Sequence, residues 1–125
     1  MKTIFILCGL LLVSAAAIFF FTRSRTDHHG NDFQGFPVVE IAPLVDRPAD
    51  FLKKDATIRG TVVRQCPSSG CWFYLRDSGG KEVKVEMGDT TPKLPPRLSK
   101  TATVEGRLIR FGEGYEFVGT AVEFR

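Results

Sequence analysis

The sequence predicts an all-β domain, five strands closing into a small Greek-key barrel, behind an N-terminal transmembrane helix. Three observations predict it. The run Thr3 to Phe21 carries no charge over 19 residues. From residue 56 onward, apolar and polar residues alternate in short stretches bounded by Gly, Pro, Asp and Ser. Gly60 and Gly106 interrupt two of those stretches, where the strands of a small barrel must bend.

The uncharged run comes first. A helix of that length is roughly 28 Å long, close to the thickness of a bilayer's hydrocarbon core. A helix of a globular core shows a polar face, and this run shows none. Ala15-Ala16-Ala17 offers an A-x-A cleavage pattern. Cleavage there would leave Ile18-Phe19-Phe20-Phe21 as a greasy new N-terminus, so residues 1–22 read as an uncleaved signal anchor. Cys8 does not fit a lipoprotein site, because the apolar stretch before it is short and Ile6-Leu7 lacks a small residue. Lys2 on one flank and Arg23 with Arg25 on the other nearly balance, so charge does not orient the anchor. Residues 23–36 are polar and contain Gly30 and Gly35, which reads as a flexible tether.

The domain then covers residues 37–125. Val38, Val39 and Ile41 suggest a short extended entry segment. Asp46 to Leu52 reads as a short helical turn, with Pro48 tolerated near its start. Leu44, Phe51 and Leu52 are candidate core residues. The first strand, "ATIRGTVVRQ", alternates at Ile58, Gly60 and Val62. The second is "CWFYLRD" and the third "KEVKVEM", joined by the hairpin signal Asp77-Ser78-Gly79-Gly80. "GDTTPKLPPRLSK" follows, and its three prolines forbid a central strand. The fourth strand, "TATVEGRLIRF", alternates at Ala102, Val104, Gly106 and Leu108. Gly112-Glu113-Gly114 turns the chain into the fifth, "YEFVGTAVEF".

Five strands with a long connector after the third form the layout of an OB-fold, a partly open Greek-key barrel. An open five-stranded sheet or an SH3-like barrel is the structural alternative. The stretch "DATIRGTVVRQCPSSGCWFYLRDSGGKEVKVEM" resembles small exported bacterial OB-fold proteins. In these a V-x-G-x-V strand leads into a Cys-containing turn and then G-C-W. The pattern Phe73, Leu75, Asp77 is also similar to strand two of anticodon-binding-like OB domains. The resemblance covers residues 37–125. It implies a fold and an exported location rather than an activity.

The turn "QCPSSGCW" carries the distinctive chemistry. Cys66 and Cys71 flank a four-residue loop between strands one and two. Opposed residues on paired strands have Cα atoms about 4.5–5.5 Å apart, and disulfides accept about 4.4–6.8 Å. A disulfide staple therefore fits, with roughly 2 kcal/mol of stabilisation from so short a loop. It would also suit an oxidising compartment. A metal site is the alternative. Two thiolates suit Cu(I) or Zn, but structural zinc needs four ligands. Zinc would need His28 and His29 to fold back from the tether, or a second chain; two-coordinate Cu(I) needs nothing more. Met87, in strand three, looks like core. A thiol–disulfide redox centre fits worst, because such enzymes use C-x-x-C at a helix start.

In strand two, Phe73 and Leu75 share one face, and Trp72, Tyr74 and Arg76 the other. Burying Arg76 is costly, so Phe73 and Leu75 are expected inside. Trp72, Tyr74, Arg76 and Lys84 then form an outer surface where OB-folds bind ligands. The bland alternative has Trp72 covering the sulfurs and Tyr74 packing under the entry segment. The net charge is +3, from 17 basic and 14 acidic residues. Nucleic-acid domains show a stronger basic excess, and an exported location also argues against an oligonucleotide ligand. No histidine lies in residues 37–125, and no Ser-His-Asp set or phosphate-cradling Gly loop is present. The sequence therefore predicts a non-catalytic binding module without a cofactor. It would be anchored through residues 3–21 in a bacterial inner membrane, facing the periplasm, and would take a protein partner or small ligand. Cu(I) or Zn handling through Cys66 and Cys71, and an oligonucleotide-binding OB domain, are the alternatives.

Overall fold

The computed structural model describes residues 3–10 and 26–125. Residues 3–10 are helical and exposed; the rest of the expected anchor lies outside the described residues. Among the described residues, no helix is long and apolar enough to cross a membrane.

Six strands make up the sheet: β1 (Asp27–Gly30), β2 (Asp55–Gln65), β3 (Trp72–Arg76), β4 (Glu82–Glu86), β5 (Thr101–Phe111) and β6 (Gly114–Phe124). β2 pairs with β3, β3 with β4, and β5 with both β2 and β6, all antiparallel. β4 and β6 close the ring in parallel, at Val85–Phe117 and Glu86–Val118. The result is a five-stranded closed barrel, β2 to β6, of OB-like topology. Its strands are those the alternation predicts.

Alternation also sets the core. Ile58, Phe73, Leu75, Val85, Val104 and Phe117 point inward and are fully buried. Each contributes about 1.5–3 kcal/mol relative to exposure. Met87 is buried with them, as expected. Between β3 and β4 the Asp77 carboxylate accepts from the Lys81 backbone N–H at 2.9 Å, and Gly80 supplies a φ of +89°. That is the hairpin the sequence signals.

Three elements depart from the sequence reading. Residues 27–30, expected within a flexible tether, form an edge strand on β6, from Asp27–Phe124 to Gly30–Ala121. No apolar residue announces it, because its pairing is made by the backbone. The chain beyond it is a strap held by Glu105, a buried carboxylate on β5. Glu105 accepts from the backbone N–H groups of Gln34, Gly35 and Phe36 at 2.6, 2.8 and 2.9 Å. Secondly, the entry segment is extended only to Glu40, and its Val39 N–H donates to the Thr57 carbonyl at 2.8 Å. Ile41 starts a helix, Ile41–Asp46, that buries Ile41 and Leu44, and a short 3-10 turn follows at Pro48–Asp50. Thirdly, Gly60, a glycine inside a strand that suggests a bulge or a sharp bend, stays in unbroken register with β5 opposite Ala102. It lets the Arg76 carbonyl and the Ile41 side chain approach within 2.8 and 3.0 Å of where its Cβ would stand. The bulge in β2 falls at Val63 instead.

Candidate functional site

β4 and β6 pair at two positions and then part. A cleft of about 270 Å³ opens where they separate, walled by Tyr74, Val83, Lys84 and Tyr115, with Leu44 and Pro48 across from them. The alternation of β3 places Phe73 and Leu75 inside and turns Trp72 and Tyr74 outward, half-buried. Tyr74 stands opposite Lys84 and Trp72 opposite Glu86 in the β3–β4 register. The outer surface thus interleaves rings with cations.

Lys84 is its centre. Its ammonium lies 5.8 Å from the Trp72 ring centroid and 5.4 Å from that of Phe111, within the reach of a cation–π contact. It also lies 3.5 Å from Oε2 of Glu116. Glu116 is 5% exposed, and that oxygen makes no hydrogen bond among the described residues. The Lys84 charge is therefore what compensates a buried carboxylate. Arg64 stacks on Tyr74 at 4.0 Å, and Arg110 faces Tyr115 at 5.6 Å. Trp72 meets Tyr74 edge to face at 6.0 Å. Phe111 is 61% exposed, a large apolar side chain left uncovered.

Of the four surface residues read from the sequence, Trp72, Tyr74 and Lys84 come together. Arg76 pairs with Glu82 at 3.2 Å, and Glu82 lines the cleft and lies 3.7 Å from Arg64. Sequence reasoning missed Arg64, Phe111, Tyr115 and Glu116. The alternation in β5 and β6 does mark Phe111 and Glu116 as outward, but only the β4–β6 closure brings them to Lys84.

The cysteine turn differs from the staple expected. Cys66 and Cys71 are free thiols. The bulge at Val63 explains why. Before it, β2 and β3 pair as Thr61–Arg76 and Val62–Leu75; after it, as Arg64–Tyr74 and Gln65–Phe73. Had the first register continued, Cys66 would oppose Cys71. After the one-residue slip it opposes Trp72, whose carbonyl accepts from its N–H at 3.0 Å.

The loop then closes as a turn, with the Gly70 N–H donating to the Cys66 carbonyl at 3.0 Å. The Ser69 hydroxyl lies 3.6 Å from the Cys66 sulfur and donates to the Cys71 sulfur at 3.1 Å. The Ser68 hydroxyl sits 3.2 Å from the Cys66 sulfur. That hydroxyl first, then the Ser69 backbone N–H and hydroxyl, hold the Cys66 thiol down to about 6 from an ordinary 9.0. Hydrogen bonds to the thiolate stabilise the charged form. Gln65 braces the turn, donating to the carbonyls of Gly70 and Pro95 and accepting from the Arg97 N–H.

His28 and His29 do not join the cysteines. Adjacent strand residues face opposite ways; His28 is exposed and pairs with the Asn31 carbonyl oxygen at 2.8 Å. His29 pairs with the Asp27 carboxylate at 2.8 Å and packs edge-on against Phe124. Asp27 is also bound by Arg97. Burial works to raise the Asp27 carboxyl, but Arg97 and His29 outweigh it and hold it below its usual value. Among the described residues, no three His, Cys, Asp or Glu side chains converge on a metal position.

No family model and no curated protein matches the chain. Among solved structures it is similar to the hypothetical protein ygiW from E. coli. The TM-score is 0.53 at 13% identity, over 74% of this chain and 100% of that one. The likeness is one of fold. It supports a small OB-like barrel and carries no residue role across.

Proposed function

We propose that this chain is a non-catalytic binding module whose cleft between β4 and β6 takes a small ligand with an aromatic or apolar body. Residues 3–21 would anchor it in a bacterial inner membrane, with the barrel in the periplasm. The observation that carries the reading is the seam itself. Two paired positions hold β4 to β6, and beyond them a cleft of about 270 Å³ is walled by Tyr74, Lys84 and Tyr115. That volume lies just below the roughly 300–1,000 Å³ of small-molecule sites. Its lining has their composition, apolar walls with a few polar groups. Rings and stacked cations favour a planar ligand. Phe111 and Trp72 extend the surface beyond the cleft, and a protein partner would contact them there.

The chain has a single tryptophan, Trp72, so its fluorescence reports on this face. Anilinonaphthalene sulfonate, an aromatic anion, serves as the probe. Saturable binding of one probe per chain is expected, with Trp72 quenched. Tyr74→Ala and Lys84→Ala should each weaken it about tenfold, the scale of one lost ring or cation contact. Non-saturable binding, or affinity unchanged in both variants, would overturn the reading. A reporter fused after Arg125 tests the orientation: activity confined to the cytosol would contradict a periplasmic barrel.

A further inference from the structure

We infer that the turn from Cys66 to Cys71 is a binding site for a soft monovalent cation, Cu(I), held in two-coordinate ligation by the two sulfurs. The site is separate from the β4–β6 cleft, and it stands or falls independently of the function proposed there.

Convergence is the first argument. Both sulfurs address one hydroxyl, that of Ser69, from 3.6 and 3.1 Å. The position between them is therefore shared already. The second argument is the register. The slip at Val63 sets Cys66 against Trp72, so the two cysteines leave the directly opposed register that would suit a cross-strand S–S bond of roughly 2.05 Å. A metal ion spans a wider gap, two bonds of about 2.3 Å in the case of zinc thiolates.

The turn is also built to stay in place. Leu94 donates its N–H to the Ser69 carbonyl at 2.8 Å, and Gln65 ties Gly70 to Pro95. Gly70 has a φ of +70°, and a Cβ there would stand 2.4 Å from the Leu94 carbonyl oxygen. The Ser68 and Ser69 hydroxyls lie 3.2 and 3.6 Å from the Cys66 sulfur. They would offset the net negative charge of a bis-thiolate Cu(I) unit. A cleft of about 220 Å³ adjoins the turn, lined by Pro67, Leu94, Pro96 and Leu98. Gln65, Ser68 and Ser69 also line it, so its oxygen atoms are neutral and it offers a hard ion no carboxylate.

Ligand number selects the metal. Zinc needs four ligands, and no third His, Cys, Asp or Glu joins the pair among the described residues. Met87 is 1% exposed, in the core beside Gly119. Soft thiolates in low number select Cu(I). Binding moves no electrons. Cu(I) leaves its carrier, two metal–sulfur bonds form, and any thiol proton passes to solvent.

The test uses the full-length chain in detergent, reduced and under nitrogen, titrated with the coloured Cu(I) complex of bicinchoninate. One copper per chain should be withdrawn, and X-ray absorption should show two sulfur neighbours. Cys66→Ser and Cys71→Ser should each lose roughly 100-fold or more in affinity, beyond the 10–100-fold of an outer-shell loss. Cys8→Ser should keep its copper, and equimolar Zn(II) should not displace it. The proposal is overturned if bicinchoninate keeps its copper, or if both serine variants still bind. A sulfur count other than two, read on the unsubstituted chain, overturns it without reliance on any variant. So does a Cys66–Cys71 disulfide that survives reductant.

Discussion

β5 and β6 pair through ten positions, from Ala102–Phe124 to Phe111–Gly114, whereas β4 and β6 meet at two. Both seams close the same barrel around the same core. The long seam is sealed by backbone. Gly106 opposes Gly119, the strap lies over it, and Glu105 clamps that strap with both carboxylate oxygens. The short seam is held largely by side chains: Lys84 beside Glu116, with Trp72 and Phe111 flanking. Backbone pairing is satisfied within the molecule and leaves little for a ligand. Side chains around a gap can rearrange, and there the barrel keeps room for something else. On the proposed function, stability and ligand binding fall to different seams, and substitutions should separate them.

The largest effect is expected where the long seam is tightest. A Cβ on Gly106 would stand 2.0 Å from the Val118 carbonyl oxygen and 2.9 Å from the Gly119 Cα. That β6 backbone cannot yield without breaking the ladder. Gly106→Ala should cost on the order of 3–5 kcal/mol or prevent folding. Urea denaturation against Gly79→Ala measures it, since a Cβ on Gly79 meets nothing nearer than 3.5 Å. Equal stability in the two variants would remove the contrast between the seams.

Glu105→Ala comes next. Three backbone N–H groups would lose a charged acceptor, at roughly 2–4 kcal/mol. Hydrogen exchange should accelerate at Gln34, Gly35 and Phe36 and spread into β1, while β3 and β4 keep their protection. If exchange there is unchanged, the strap is held by its β1–β6 pairing alone.

At the short seam, Lys84→Met should leave Glu116 buried beside no cation, at about 1–2 kcal/mol, less than a fully buried pair because Lys84 keeps 27% of its side chain exposed. Adding Glu116→Leu should recover most of that loss, since paired apolar replacements are often neutral. A double variant no better than the single one would show that Glu116 is compensated by another group.

These differences track what the sequence makes legible. Alternation in "TATVEGRLIRF" marks β5 from Thr101 to Phe111, because its inward face packs on the core. The same alternation puts Trp72, Tyr74 and Lys84 on one surface. It cannot reveal Asp27–Gly30, whose strand is made by backbone bonds and by an Asp27–Arg97 pair 70 residues apart. Glu105 reads as a solvated outward residue, and only the strap makes it buried. The slip at Val63 is hidden for another reason. Val62 and Val63 are both apolar, so either can point inward without disturbing the pattern. That one ambiguity turned an expected cystine into two thiols.

The smallest structural effect, and the sharpest chemical one, belongs to the turn that the slip created. Neither seam depends on it, so Cys66→Ser should leave the urea midpoint unchanged. Reactivity is another matter. The thiolate is the nucleophile, and a thiol held at about 6 in place of 9.0 is mostly ionised at neutral pH. Iodoacetamide should therefore alkylate Cys66 half-maximally near pH 6, with the rate falling as pH drops through that value. Ser68→Ala removes the largest cause of the shift, so its curve should move to higher pH. Mass spectrometry of the peptide carrying Cys66 separates it from Cys8. A wild-type curve centred near 9, matched by Ser68→Ala, would mean that the serine hydroxyls do not hold the sulfur. The register slip would then have separated the two cysteines without activating either.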